Sequence, residues 1–251
     1  MSDTRASMSA GGRTASNSTV VQHPDFDSVD FSSKDVRATV EEYAGRAILF
    51  RRCDFTCAEM QDLDLTGAVF DQCTLNGAEL RECVLDRAHI IGGSCVAADF
   101  ASADVNDAVF HCVELSQTRF TGALLADARF EECRMIGADL TALRGLAATL
   151  IMKDCNLQLA NFQDTDLRGA DLTGSDLTEA DLRGTDLRDA VFSRCLLRGV
   201  DLAHTRLDGV DLRGADLGEI TADMPHQLRG AVISHAQAAD ICAALGLTVL
   251  D

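Results

Sequence analysis

A five-residue period of apolar side chains runs through most of this chain. Over residues 48–140 and 150–217, a small residue and a large apolar residue two positions later recur every five positions, as at Ala68 and Phe70. An α-helix advances about 100° per residue, so this spacing would leave it no buried face. In an extended segment, residues two apart point to the same side, and the other three can turn a corner. The period therefore predicts stacked coils around a continuous apolar column.

The segment from Ala170 to Gly184, ADLTGSDLTEADLRG, resembles the pentapeptide repeat family, whose motif is a small residue, Asp or Asn, Leu or Phe, and two polar positions. The resemblance covers about residues 48–219. It implies an all-β solenoid, namely a right-handed quadrilateral β-helix with four repeats per coil. We therefore expect about eight complete coils, since 172 residues at 20 per coil give about 8.6, or a rod about 41 Å long at about 4.8 Å per coil.

Four segments follow from the pattern and the composition. Residues 1–22 are rich in Ser, Thr, Gly and Asn and are predicted to be a disordered tail. Residues 23–47 are predicted to be an N-terminal cap or linker, with a helix over 33–45; a degenerate repeat through Phe26 and Phe31 is the alternative. Residues 48–219 are the predicted β-helix, and 220–251 are the predicted C-terminal cap and dimerisation segment.

The C-terminal segment has the pattern of a short helix. Ser234 to Gln237 is typical of a capping box, and Gly246 of a helix end. Residues 228–250 also resemble the dimerising tail of the quinolone-resistance pentapeptide proteins, which implies a homodimer; a simple cap on the rod is the alternative. The residues predicted at the dimer interface are Ala238, Ile241, Cys242, Leu245, Leu247 and Val249.

The repeat changes register once. Leu140 and Met152 are 12 positions apart, so two residues are inserted or three are missing within about 141–149. A bulge or short loop at one corner would absorb this change. Arg144 and Leu146 are the exposed candidates there for contact with a partner, and a structural irregularity without function is the alternative.

The ten cysteines do not suggest a redox or metal site. Six occupy the small inward position and are expected to be compact apolar filler: Cys53, Cys73, Cys83, Cys133, Cys155 and Cys195. Cys53 and Cys57 have a metal-like spacing, but the first is expected to point inward and the second outward. His89 and His111 have no partner at ligand spacing in the sequence. We therefore predict no metal ion and no cofactor.

Nothing in the sequence indicates an enzyme or a membrane protein. We find no glycine-rich phosphate loop and no nucleophile elbow. An apolar run near 18 residues and a charged-then-apolar leader are also missing from the sequence. Together with the expectation of reduced cysteines, this favours the cytoplasm.

The charge of the chain is strongly negative. The net charge is −18, and residues 48–219 hold 30 acidic and 16 basic residues. Such a rod would repel nucleic acid and attract proteins with basic DNA-binding grooves. The candidate partner-binding carboxylates precede inward residues: Asp166, Asp171, Asp176, Asp181, Asp186 and Asp201. For each of them, a role in backbone geometry or solubility is the alternative.

The resemblance to the quinolone-resistance proteins implies a function. A DNA-mimicking homodimer would bind DNA gyrase or topoisomerase IV and protect the enzyme from inhibitors, which would give antibiotic resistance or self-immunity. The alternative is a structural or scaffolding module with an unrelated partner. A continuous acidic stripe on the folded surface would favour the first function, and evenly scattered acid the second.

Overall fold

The computed structural model describes residues 24–145, 150–221 and 224–249. Its main element is a seven-stranded parallel sheet in which each strand pairs with the next one along the chain. The strands are β1 (Asp25–Asp27), β2 (Leu49–Arg51), β3 (Val69–Asp71), β4 (His89–Ile91), β5 (Val109–His111), β6 (Arg129–Glu131) and β7 (Ile151–Lys153). Successive parallel strands in this order require the chain to complete one turn between them, so the fold is a β-solenoid.

The solenoid has four sides. The strands form one side, here named face A, and isolated parallel bridges join residues 20 apart on three further sides. Face B contains the bridge Asp54↔Thr74, face C the bridge Glu59↔Glu79, and face D the bridge Asp64↔Val84. Each five-residue repeat thus supplies one side, and the predicted four-sided solenoid is confirmed.

The strands define fewer turns than the repeat length suggests. Seven strands enclose six turns, whereas the sequence predicts about eight coils. Beyond β7, face A continues as single bridges from Ile151 to Asp171, Val191 and Asp211. The later coils are therefore present as isolated rungs rather than as strands.

Large side chains stack in columns inside the coils. Phe110 and Phe130 are register partners on β5 and β6, and their ring centroids are 4.6 Å apart with the planes 11° from parallel. Phe100 and Phe120 stack in the same way at 4.8 Å. Stacked rings of equal size leave few voids between coils, as close packing of a protein interior requires.

The small inward positions carry thiols and hydroxyls that bond to the preceding coil. The Sγ atom of Cys83 donates to the carbonyl of Met60 at 2.8 Å, and the hydroxyl of Thr185 donates to the carbonyl of Phe162 at 2.9 Å. All ten cysteines are free thiols, and the six inward ones are buried. Burial raises the pKa of the Cys73, Cys83 and Cys195 thiols to about 12. These thiols are therefore inert filler, as predicted.

The N-terminal segment combines the two alternatives for residues 23–47. Phe26 on β1 pairs with Phe50, which adds a coil before residue 48. Within that coil, helix α1 (Val36–Glu42) starts at Asp35, whose carboxylate accepts the Ala38 N–H. Its buried residues, Val36 and Val40, cover the end of the column. The solenoid thus extends in front of the repeat boundary at 48.

The register change inserts two residues. Arg129 pairs with Ile151, which is 22 positions later rather than 20. Arg134↔Asn156 and Asp139↔Asn161 keep this offset on faces B and C. Face D therefore ends its first run at Arg144 and resumes at Asp166, so the insertion lies at the corner between faces D and A.

Two helices follow the last rungs. Helix α2 spans Met224–Gln227, and helix α3 spans His235–Ala244. The predicted capping box is present, because the Ser234 side chain accepts the Gln237 N–H while the Gln237 side chain accepts the Ser234 N–H. Gly246, with a positive φ of 76°, follows the helix as predicted.

Helix α3 is attached to the end of the rod by one buried amide. The Nε2 atom of Gln237 donates to the carbonyls of Leu212 and Ala215 at 2.7 and 2.9 Å. These carbonyls belong to the final coil, so α3 caps the solenoid. Within the described ranges, no helix is long and apolar enough to span a membrane.

Candidate partner-binding surface

Aspartates that precede inward residues shape the corners of the solenoid. The Asp54 Oδ1 atom, for example, accepts the backbone N–H of Thr56 at 2.9 Å, two residues later. The residue after that, Cys57, has a left-handed φ of 55°. The carboxylate thus pins the turn into the next face, which explains the frequent Asp at this repeat position.

All six predicted carboxylates make this corner bond. In each case the Oδ1 atom accepts the backbone N–H of the residue two positions later. The pairs are Asp166 with Arg168, Asp171 with Thr173, Asp176 with Thr178, Asp181 with Arg183, Asp186 with Arg188, and Asp201 with Ala203. One oxygen of each carboxylate is therefore engaged in the fold rather than available to a partner.

Cations neutralise most of the same carboxylates. The Arg168, Arg183 and Arg188 guanidinium groups contact Asp166, Asp181 and Asp186 at 2.5–2.7 Å, and Lys153 contacts Asp171 at 2.7 Å. The hydrogen bond from Arg168 lowers the pKa of Asp166, and Arg183 and Arg188 act likewise on the pKa of Asp181 and Asp186. The local field around these carboxylates is weaker than their number suggests.

The predicted carboxylates do not form one stripe. Asp181 and Asp201 stack on face C, and Asp166 and Asp186 on face D. Asp171 lies on face A and Asp176 on face B. The fold thus distributes the six side chains over all four sides.

Arg144 is exposed but folded back along the solenoid. Its guanidinium donates to the carbonyl of Gly122, and its Nη2 atom donates to the carbonyl of Ser102 at 3.0 Å. The side chain therefore links its own coil to the two preceding ones on the face D side. Leu146, the other candidate at the register change, lies outside the described residues.

A denser group of carboxylates lies where faces C and D meet, in coils that the sequence analysis did not single out. This surface, named here the acidic corner, consists of residues 59–67, 79–87 and 99–107. It contains nine acidic and two basic residues, a net charge of −7. The A and B faces of the same coils, residues 49–57, 69–77 and 89–97, contain two acidic and two basic residues. The charge of these coils is therefore one-sided.

Many carboxylates of the acidic corner lack a cation. Arg81 contacts Glu79 and Asp99, and Arg87 contacts Asp86. Among the described residues, no ion pair involves the remaining six: Glu59, Asp62, Asp64, Glu82, Asp104 and Asp107. Three coils at about 4.8 Å each span about 14 Å. Duplex DNA carries about eight charges over that length, so the two charge densities are comparable.

The C-terminal tail exposes apolar side chains. Leu245, Leu247 and Val249 are 47%, 59% and 54% exposed, and Val232 nearby in sequence is 45% exposed. The other predicted interface residues, Ala238, Ile241 and Cys242, are half-buried. Ile241 packs against the core, so one side of α3 covers the rod while the tail presents apolar surface to solvent.

An open apolar cavity of about 680 Å³ lies at the end of the column. Its lining includes Leu187, Leu197, Leu202, Leu207 and Leu228. In the described part of the chain, no rung follows Asp201 on face C or Arg206 on face D, so the last coil is open on these sides. The lining also contains Asp216 and Glu219, and Asp216 is paired with Arg198, which lowers its pKa.

One group of possible metal ligands is present in the part of the chain that the structure describes. Atoms of His111, Cys112 and Glu132 all lie within 4.8 Å of one another. The sequence analysis considered spacing along the chain alone and did not predict this proximity in space. The fold places Glu132 one coil beyond Cys112, a proximity that a search for short spacings does not reveal.

Fold and surface together define a four-sided β-solenoid of five-residue units with an outward acidic corner. A family model described as pentapeptide repeats matches in 8 copies, over residues 48–72, 64–94, 114–142, 155–194 and 195–217. The protein belongs to the pentapeptide repeat family. Proteins of this family are generally interaction modules rather than enzymes.

Several solved structures are similar to this chain. A trypsin-treated variant of QnrB1, a plasmid-mediated fluoroquinolone resistance protein, is 23% identical with a TM-score of 0.44 and covers 81% of this chain and 96% of its own. HetL from the cyanobacterium Nostoc sp., involved in regulation of heterocyst differentiation, is 19% identical with a TM-score of 0.44, covering 78% and 88%. No curated protein sequence matches the chain. At these identities the likeness extends no further than the fold.

Proposed function

We propose that the protein is a DNA-mimicking binding protein that acts on a type II topoisomerase, DNA gyrase or topoisomerase IV. Its acidic corner would occupy the basic groove that otherwise holds DNA, and so protect the enzyme from inhibitors. The outcome for a cell would be antibiotic resistance or self-immunity. Such a role requires the cytoplasm, where these enzymes act on the chromosome.

The acidic corner is the observation that supports this proposal. Its net charge of −7 lies on one side of three coils, at a linear density comparable to that of duplex DNA. A one-sided field of this kind steers a protein towards a basic groove. Many proteins have basic grooves. We select type II topoisomerases among them because the sequence resembles the quinolone-resistance pentapeptide proteins.

The C-terminal tail supports a homodimer as the functional unit. Leu245, Leu247 and Val249 expose an apolar segment that a second copy of the chain would cover. A tail-to-tail dimer would carry two acidic corners, one towards each far end, separated by the later coils of both copies.

The carboxylates from Asp166 to Asp201 have a different part in the proposal. Ion pairs with arginine or lysine favour a structural role for most of them. The corner bond does not distinguish the two groups, since Asp64 and Asp104 of the acidic corner make it too. We therefore assign partner contact to the acidic corner, and dimerisation and rigidity to the C-terminal half. A scaffolding module with an unrelated partner would need no such one-sided charge.

A supercoiling assay with purified gyrase and a cleavage-stabilising quinolone tests the proposed function. We expect the protein to restore supercoiling at micromolar concentration, and the effect to weaken as salt rises because exposed charges are screened. If the protein neither binds nor protects gyrase, and instead captures another partner in a salt-insensitive manner, the scaffolding function is correct.

A further inference from the structure

Three side chains with different donor atoms meet on the face A side of two neighbouring coils. His111 is the last residue of β5, Cys112 follows it, and Glu132 occupies the position 20 residues after Cys112. The Sγ atom of Cys112 lies 3.4 Å from the His111 Nε2 atom and 3.7 Å from the Glu132 Oε2 atom. All three ligand atoms lie within 4.8 Å of one another.

These separations match a tetrahedral coordination shell. Zinc–ligand bonds of about 2.0–2.3 Å at tetrahedral angles place neighbouring ligand atoms roughly 3.3–3.7 Å apart. The two separations from the Cys112 Sγ atom, 3.4 and 3.7 Å, fall in this range, and the His111 and Glu132 ligand atoms lie within 4.8 Å of each other.

Within the described residues, the His111 ring has a hydrogen-bond contact at one of its two nitrogens, between Nε2 and the Cys112 Sγ. Its Nδ1 atom is buried and has no hydrogen-bond partner there. Nε2, the other ring nitrogen, points instead at the thiol of Cys112. Cys112 and Glu132 are exposed, so an ion from solvent can reach the three donors.

We propose that His111, Cys112 and Glu132 bind a single transition-metal ion, with zinc as the physiological candidate. A thiolate and an imidazole favour zinc over calcium or magnesium, which take oxygen ligands. Three protein ligands leave the fourth tetrahedral position to water. On binding, the Cys112 thiol loses its proton to solvent and the thiolate coordinates the metal.

Such an ion would join two consecutive coils. His111 and Cys112 belong to the coil that starts with β5, and Glu132 to the coil that starts with β6. An ion that binds this juxtaposition only in the folded state stabilises the solenoid by mass action. It would do so one coil before the register change near residue 145.

Metal titration of the full chain tests the site. We expect zinc to bind with one-to-one stoichiometry and to raise the melting temperature, and cobalt to give a thiolate charge-transfer band. Cys112→Ser should abolish that band. Cys112→Ser and His111→Gln each remove a direct ligand, so each should weaken zinc binding by more than the roughly 10- to 100-fold that follows the loss of an outer-shell partner.

Cys57→Ser and His89→Gln are the matched controls. Cys57 is exposed at the same repeat position as Cys112, with φ 55° against 56°, and His89 lies at an exposed position on the same face. Both controls should retain zinc and the cobalt band. No binding of either metal by the wild-type protein, or equal binding by Cys112→Ser and Cys57→Ser, would overturn the proposal.

Discussion

Asp181 lies in register with Asp201 on the next coil, and the Arg183 guanidinium contacts both carboxylates, at 2.5 and 3.6 Å. Stacking of equal charges about 4.8 Å apart is unfavourable, and the shared arginine offsets it. The later coils therefore hold their aspartates as parts of the corners and of local ion pairs.

These ion pairs predict a loss of stability in acid. The hydrogen bond from Arg213 lowers the pKa of Asp211 to about 2, and Arg183 and Arg188 lower the pKa of Asp181 and Asp186. A carboxylate with a depressed folded pKa adds stability above its ordinary pKa of 3.8, and this stability is lost as the pH falls through the folded value. Urea unfolding should therefore show falling stability between about pH 4 and pH 2. The slope should be smaller in Asp211→Asn, and an equal slope in that variant would contradict the assignment.

Glycine at position 93 is predicted to be indispensable for packing. An added Cβ there would lie 2.1 Å from the Cys73 carbonyl oxygen, a backbone atom, whereas at Gly137 it would meet nothing within 4 Å. Both glycines have positive φ, 74° and 64°. Gly93→Ala should therefore lower the free energy of unfolding by about 1–3 kcal/mol more than Gly137→Ala. Denaturant unfolding of the two variants measures this difference, and equal losses would show that φ alone matters.

Gln237 is predicted to hold the C-terminal cap in place. Gln237→Ala would leave the carbonyls of Leu212 and Ala215 without their amide donor, at a cost on the order of 1–3 kcal/mol. The exposed Gln227 provides a control, since Gln227→Ala should change stability by less than about 0.5 kcal/mol. Hydrogen exchange of the Leu212–Leu217 amides should accelerate only in the Gln237 variant. Unchanged exchange would show that other contacts suffice to cap the rod.

The exposed tail predicts the oligomeric state. Leu247→Glu should convert the proposed homodimer to a monomer in sedimentation, because a buried charge without a partner is unfavourable at an apolar interface. Leu159 is exposed to a similar extent, 56% against 59%, but lies in the middle of the rod. Leu159→Glu should leave the dimer intact. If the wild-type protein is already a monomer, the tail serves only as a cap.

The five-residue period predicts the fold because it states directly which side chains point inward. Phe110 and Phe130 are 20 positions apart, and their stacking follows from the coil length alone. The period does not predict whether the register change is an insertion or a deletion, since two inserted residues and three missing ones give the same spacing in sequence. The pairings across the change, such as Arg129 with Ile151, decide it.

The site was harder to predict because net charge says nothing about local pairing. Asp181 and Asp62 count equally in the sequence, yet Asp181 is paired with Arg183 and Asp62 with no cation among the described residues. The motif Asp181-Leu182-Arg183 does contain this signal, since residues two apart lie on the same side of an extended segment. Likewise, the approach of Glu132 to Cys112 follows from the 20-residue coil once the fold is known.

The central claim is that the acidic corner, rather than the total charge, recognises the topoisomerase. Two triple variants carry the same charge change at the same repeat position, all exposed and with φ between 55° and 60°. One combines Asp62→Asn, Glu82→Gln and Asp107→Asn in the acidic corner, and the other combines Asp164→Asn, Glu179→Gln and Asp189→Asn in later coils.

The affinity of both variants for purified gyrase at fixed salt is the most direct measurement. We predict that the acidic-corner variant binds at least about tenfold more weakly than the wild type, a loss of about 1.4 kcal/mol, while the later-coil variant stays within about twofold. Equal affinities of the two variants would contradict the account.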